Sequence, residues 1–205
     1  QRRMSVTERP RFMIVGDRTK FAIESEITEA FPSNSQLALG YFVVRIKGQI
    51  FGVRAPDASM LGCSFAEVAN RVARRGSHTF PDLADIDAAS LAEAYLDVEY
   101  RSSSRTDYFG LTDKTFSGNL HAQAVIWAPD GDEAFDDGSH ILHFDVGNKV
   151  RLIAFINTEA PADMVATIRE AWLDADIFYT VLSAWTERFA AERILKLEQA
   201  EIAKA

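Results

Sequence analysis

The order of elements predicts an α+β fold: a largely antiparallel β-sheet packed by several helices, with a long C-terminal helix. Three observations carry this. β-rich runs cluster before residue 54 and again at 120–156, helical periodicity fills the stretches between and after, and the regular strand–helix–strand alternation of a parallel sheet is missing. The 205 residues suffice for a sizeable core, and 14 Phe and 3 Trp supply bulky material for it. The expected division is a disordered or expression-derived arm at 1–11, one domain at 12–190 and a helical extension at 191–205.

The arm carries four Arg without apolar periodicity. Phe12-Met13-Ile14-Val15, ended by Gly16-Asp17, reads as a first strand. Residues 21–27 alternate through Phe21, Ile23, Ser25 and Ile27, which favours a second strand; a helix through Ile23, Ile27 and Phe31 is the competing reading. Runs at 39–46 and 49–53 flank Lys47-Gly48, a pair suited to a primed turn, and form a hairpin. Ser64 and Glu67 have capping-box spacing, so a helix is expected from Ser64 to Arg74-Arg75, stopped at Gly76.

A second helix is expected at about 87–98, with Ala88, Leu91, Ala92, Tyr95 and Leu96 on one face. The Ser-rich stretch 101–107 is a loop, and Thr112 caps a short helix before Asn119. Three β runs follow at 120–127, 139–146 and 149–156, the last two turning at Gly147-Asn148. Residues 162–172 read as helical. Asp174 caps a final helix with Ile177, Phe178, Val181, Leu182, Trp185 and Phe189 at helical spacing, continuing past Glu192.

Charge is distributed unevenly. The net charge is −8, from 30 acids and 22 bases, and no Lys or Arg occurs between Lys114 and Lys149. Within that gap, Trp127 to Ser139 holds Asp130, Asp132, Glu133, Asp136 and Asp137, with Trp127 and Phe135 embedded. Ionised carboxylates resist burial unless paired, so this stretch is a surface loop, held between two strands. It argues against nucleic acid as partner, since phosphate binding rests on Lys and Arg, and suits a basic protein surface.

Other chemistry finds little support. Cys63 is the sole cysteine, which excludes a disulfide within the chain and a thiolate metal cluster, and it reads as a small buried residue. A calcium-loop reading from Asp130 fails at Ala134, Phe135 and Ile141, leaving an irregular site on Asp130, Asp132 and Asp136 as a minor alternative. His140 and His143, three apart on a strand, face opposite sides and cannot chelate one ion together; His121 would be a third candidate ligand. His78 reads equally as a site residue or as part of a solvated helix end. No phosphate-binding loop or nucleophile elbow occurs. No run approaches the roughly 18 apolar residues of a membrane span, and the basic arm lacks the apolar core of a secretory signal. A cytoplasmic protein without cofactor, catalytic residue or metal is expected.

The chain resembles the immunity protein 42 family of bacterial polymorphic toxin systems. The resemblance is carried by Ile14-Val15-Gly16-Asp17, Lys20 through Ile27, Ala38-Leu39-Gly40-Tyr41-Phe42, Pro56-Asp57-Ala58, Cys63-Ser64-Phe65 and Arg74-Arg75-Gly76-Ser77-His78. It continues through Trp127 to Ser139, its most specific segment, then Val150 to Phe155 and Trp172 to Asp176. It spans about residues 13–190. It implies a small cytoplasmic α+β protein, encoded beside a toxin, that binds and neutralises it and is not an enzyme. A basic, nuclease-like toxin domain would be steered by Asp130, Asp132, Glu133, Asp136 and Asp137, with Trp127 and Phe135 as anchors if exposed. The alternative from another class is a metal-binding or carboxylate-dependent enzyme using the Asp130–Asp137 loop.

Overall fold

Lys47 and Gly48 both take left-handed backbone, φ 48° and 82°, the geometry of a primed two-residue turn. The computed structural model, which describes residues 12–127 and 131–204, builds its first sheet around this hairpin. Strands β1 (Met13–Asp17), β2 (Phe21–Ala30), β3 (Ala38–Ile46) and β4 (Gln49–Phe51) pair antiparallel in chain order, and the short β5 (Ser59–Met60) pairs with the start of β3. The strand reading of 21–27 therefore holds, extended to Ala30 across a bulge between Ile27 and Glu29. A second, three-stranded meander is formed by β6 (Ser139–Val146), β7 (Lys149–Ile156) and β8 (Arg169–Asp174). The helices are α1 (Leu61–Ala73), α2 (Ala88–Tyr100), α3 (Asp113–Ala122), α4 (Pro161–Thr167) and α5 (Ala175–Ile202).

Alternation decides which way each strand faces. Phe21, Ile23 and Ile27 of β2 and Phe42, Val44 and Ile46 of β3 enter one core with Phe178, Leu182, Trp185 and Phe189 of α5. Ser25 falls on the same inward face because it accepts a 2.9 Å bond from Trp185 Nε1, satisfying an indole that would otherwise be buried unpaired. Glu24 points to the other face and is fully buried. Burial alone would raise its carboxyl pKa, but bonds from Arg54, Tyr41 and Arg45 outweigh this and leave it lowered.

The second sheet is buried on both faces. Ile141, Val150, Leu152 and Ala154 join the core beneath α5, while Leu142, Phe144, Ile153 and Phe155 form a second core with α2, α3 and Met164 of α4. This explains why β6 and β7 read as near-continuous apolar runs.

Three local readings are corrected. The helix expected from Ser64 begins one turn earlier, at Leu61: Gly62 N–H bonds the Gln36 carbonyl at 3.0 Å, so a tertiary acceptor replaces the capping side chain, and the Ser64 hydroxyl is buried without a partner. The run 120–127 is no full strand. Phe116 and Leu120 continue the helical face, Ala124 turns at φ 46°, and only 125–127 lie along β6, with one bridge from Ile126 to Leu142. Residues 162–172 divide into the short α4 and β8, where Ala171 and Leu173 face inward in alternation with Glu170 and Trp172. Asp174 is the N-cap residue of α5, as its position predicts, but its carboxylate pairs with Lys149 rather than capping.

Candidate functional site

The acidic loop is built from its two aromatic residues upward. Trp127 is 1% exposed, its ring 6.2 Å from Phe21 and edge-on to Phe178 at 6.0 Å, with the Arg71 guanidinium 5.0 Å from its centroid. Phe135 is 7% exposed and meets Phe42 edge-on at 6.3 Å. The exposure that surface anchors require is met by neither: both rings hold the loop from below, because large rings beside a sheet are more stable packed than exposed to water.

Backbone bonds complete the hold. Residues 133–135 form a single 3-10 turn, capped by Asp132, whose carboxylate accepts from Ala134 N–H at 3.0 Å. Val53 N–H donates to the Ala134 carbonyl at 2.8 Å. Asp137 accepts from Ser139 N–H at 3.0 Å and from Gly52 N–H at 3.3 Å, and Ser139 Oγ shares the Gly52 donor at 3.0 Å. Gly138 hands its carbonyl to Asn157 N–H at 2.8 Å. The loop is thus stapled to the end of β4 and the end of β7.

What faces outward is negative charge. Glu133 and Asp136 are exposed, Asp137 is exposed beside its anchoring bonds, and Asp132 is half-buried. Asp130 lies outside the described residues. Desolvation pushes the Asp132 carboxyl pKa up; its Ala134 bond opposes this, and Glu67, Asp136 and Glu133 reinforce it as like charges. Among the described residues, no cation forms an ion pair with Asp132, Glu133, Asp136 or Asp137. No group of three or more His, Cys, Asp or Glu there is close enough to hold a metal ion.

A second polar constellation lies under the loop. Arg71, His78, His143, Asp145 and Tyr179 converge from α1, the segment after it, β6 and α5, all buried. Asp145 accepts from Gly76 N–H, His78 N–H and the Tyr179 hydroxyl, at 2.9, 3.1 and 2.8 Å. These bonds and its contact with His143 overcome burial and hold its pKa down at about 2. Sequence reading missed this cluster. The legible signal was His143 and Asp145 two apart on one strand face; Arg71 and Tyr179 are too distant in sequence to be linked to it. His78 is fully buried, which removes the solvated helix-end reading.

The histidine geometry argument holds. His140 packs on Phe155 and Tyr95 in the second core while His143 enters the first, and exposed His121 bonds Glu99 at 2.9 Å. Cys63 is exposed, against expectation, because the earlier helix start turns it to solvent. An apolar groove of about 430 Å³ also opens where β8 runs into α5, lined by half-exposed Trp172, with Ile177, Leu173, Val181 and Phe21. No described helix is long and apolar enough to cross a membrane.

Comparison with known proteins places these features. No curated protein matches the chain in sequence. Its fold is similar to that in the crystal structure of CdiI from Burkholderia dolosa AUO158, with a TM-score of 0.54 and 15% identity over 86% of this chain and 99% of that one. In sequence, residues 13–188 match the family described as immunity protein 42. That match takes in both sheets, the acidic loop and the core-bound part of α5, and the chain belongs to the immunity protein 42 family.

Proposed function

We propose that this protein binds and neutralises a cognate bacterial toxin, acting as a non-catalytic inhibitor in the cytoplasm, and that its acidic loop steers a basic, nuclease-like toxin surface. Family membership supports the immunity reading. The observation that supports the loop is the charge of Glu133 and Asp136, paired with no cation among the described residues, on a backbone held by Gly52, Val53 and Asn157. Fixed charge accelerates encounter without the entropic cost of ordering a mobile segment on binding.

The test separates steering from folding. Asp132 and Asp137 anchor the loop, so their loss would perturb structure; Glu133 and Asp136 are exposed, and no side-chain bond to either is seen among the described residues. The pair Glu133→Gln with Asp136→Asn should slow association with the toxin about three- to tenfold at low salt and flatten its salt dependence, with dissociation nearly unchanged. Co-expression with the adjacent toxin measures neutralisation itself. Failure of the wild type to rescue growth would refute the immunity reading; rescue with an unaltered association rate in the double variant would move the toxin-binding face elsewhere, for instance to the Trp172 groove.

A further inference from the structure

Arg71 is the hinge pin beneath the acidic loop. Its Nη1 donates to the Ala124 carbonyl at 3.1 Å and its Nη2 to the Ile126 carbonyl at 2.8 Å, so one guanidinium seats the chain just ahead of Trp127. Nη2 also pairs with Glu67 at 2.8 Å. Nη1 has one further neighbour, His143 Nδ1, at 2.9 Å. A guanidinium has donors only, so Nδ1 must present its lone pair. The ring proton then resides on Nε2, which faces Asp145 Oδ1 at 3.3 Å.

We propose that His143 is a neutral-only latch on this clamp: residues 124–127 stay seated against α1 and β6 only while His143 Nδ1 carries no proton, and acidification releases them. Protonation would set donor against donor at 2.9 Å and place a second cation beside Arg71 in the interior. Most of the surrounding groups oppose a charged ring. Arg71, from α1, repels the added charge, with Glu67 already engaged on its far side. His78 lies against the ring at 4.6 Å, tilted by 35°, its own Nδ1 turned to the Gln123 and Ala124 carbonyls. Phe178 of α5 and Trp127 cover it with apolar surface, and the Tyr179 hydroxyl of α5 lies 3.5 Å from Nε2. Asp145 of β6 favours the charged ring, but its oxygens already serve two backbone N–H groups and the Tyr179 hydroxyl.

The latch holds whichever partner the loop takes, and its test needs no partner. Side-chain ¹⁵N shifts of the intact protein should place His143 in the Nε2–H neutral form at pH 7.5 and still at pH 5.5. The Trp127 amide bonds the Ile141 carbonyl and the His143 amide bonds the Val125 carbonyl, both at 2.8 Å. Their hydrogen-exchange protection, corrected for intrinsic rates, should fall about tenfold per pH unit below pH 6.5 and stay lower than that of the Val44 amide in the first sheet. His143→Gln, which accepts and donates without titrating, should reduce that slope to the part contributed by His78. If the variant does not fold, the wild-type slope and tautomer still decide. An Nδ1–H tautomer, or protection at Trp127 independent of pH in the wild type, overturns the latch.

Discussion

Gly52 takes φ +113°, and a Cβ there would lie 2.9 Å from the Ala134 carbonyl oxygen and 3.2 Å from that of Phe42. Both the left-handed backbone and the close approach of the acidic loop require a glycine. Gly52→Ala should therefore cost about 2 kcal/mol, read as a lower urea midpoint, and should loosen the 133–138 turn whose bonds end on Gly52 N–H and Val53 N–H. Sequence inspection marks this glycine only as the last part of a strand. Its partner lies more than eighty residues away, so nothing local identifies the contact. The same holds for Ser25, an apparent polar lapse on an apolar strand face until Trp185 Nε1 is found opposite it.

At the scale of elements, α5 does two jobs along its 28 residues, a length of about 42 Å at 1.5 Å per residue. Its stretch up to Phe189 carries Phe178, Leu182, Trp185 and Phe189 into the core. Beyond them Arg193 reaches back to the turn between β2 and β3, donating to the carbonyls of Leu37 at 2.9 Å and Ser33 at 3.2 Å, and to that of Phe31. Arg193→Ala should destabilise the fold by about 1 to 2 kcal/mol in urea denaturation, since bonds from a charged donor are among the stronger single bonds. Deleting residues 198–205 should shift stability by less than about 0.5 kcal/mol, because the described part of that stretch is exposed, Ile202 at 76%. The apolar spacing of this helix was legible in the sequence from Ile177 to Phe189. The return of Arg193 to the turn between β2 and β3 was not, because its partners lie more than 150 residues away in sequence.

For the molecule as a whole, stability should be sensitive to mild acid. Burial, with Arg71 and His78 adding to it against the pull of Asp145, depresses His143 from its ordinary value of 6.5 to about 3, and burial also lowers His78. Below pH 6.5 the unfolded chain takes up protons that the folded one refuses, so stability is fully present above pH 6.5 and declines as pH falls toward 3. His143 alone predicts a loss of about 2 kcal/mol between pH 6.5 and 5; Asp145, held near 2, adds a further loss below its unfolded value of 3.8. Equal urea midpoints at pH 7.5 and 5 would contradict this. By itself the sequence determined the α+β class, the hairpin at Lys47-Gly48, the helix expected at about 87–98, the opposed faces of His140 and His143, and the acidic character of 130–137. Each follows from local rules of periodicity, turn geometry or charge. Only the tertiary structure decided that Trp127 and Phe135 lie beneath the loop rather than on it, that 120–127 is mostly helix and turn, and that Arg71, His143 and Asp145 share one buried cluster. Those outcomes depend on which distant surface arrives to cover a residue, and a linear pattern of polar and apolar side chains does not carry that information. The acidic loop is accordingly two things at once, a structural staple on its inner side and, among the described residues, carboxylates without a cation partner on its outer one.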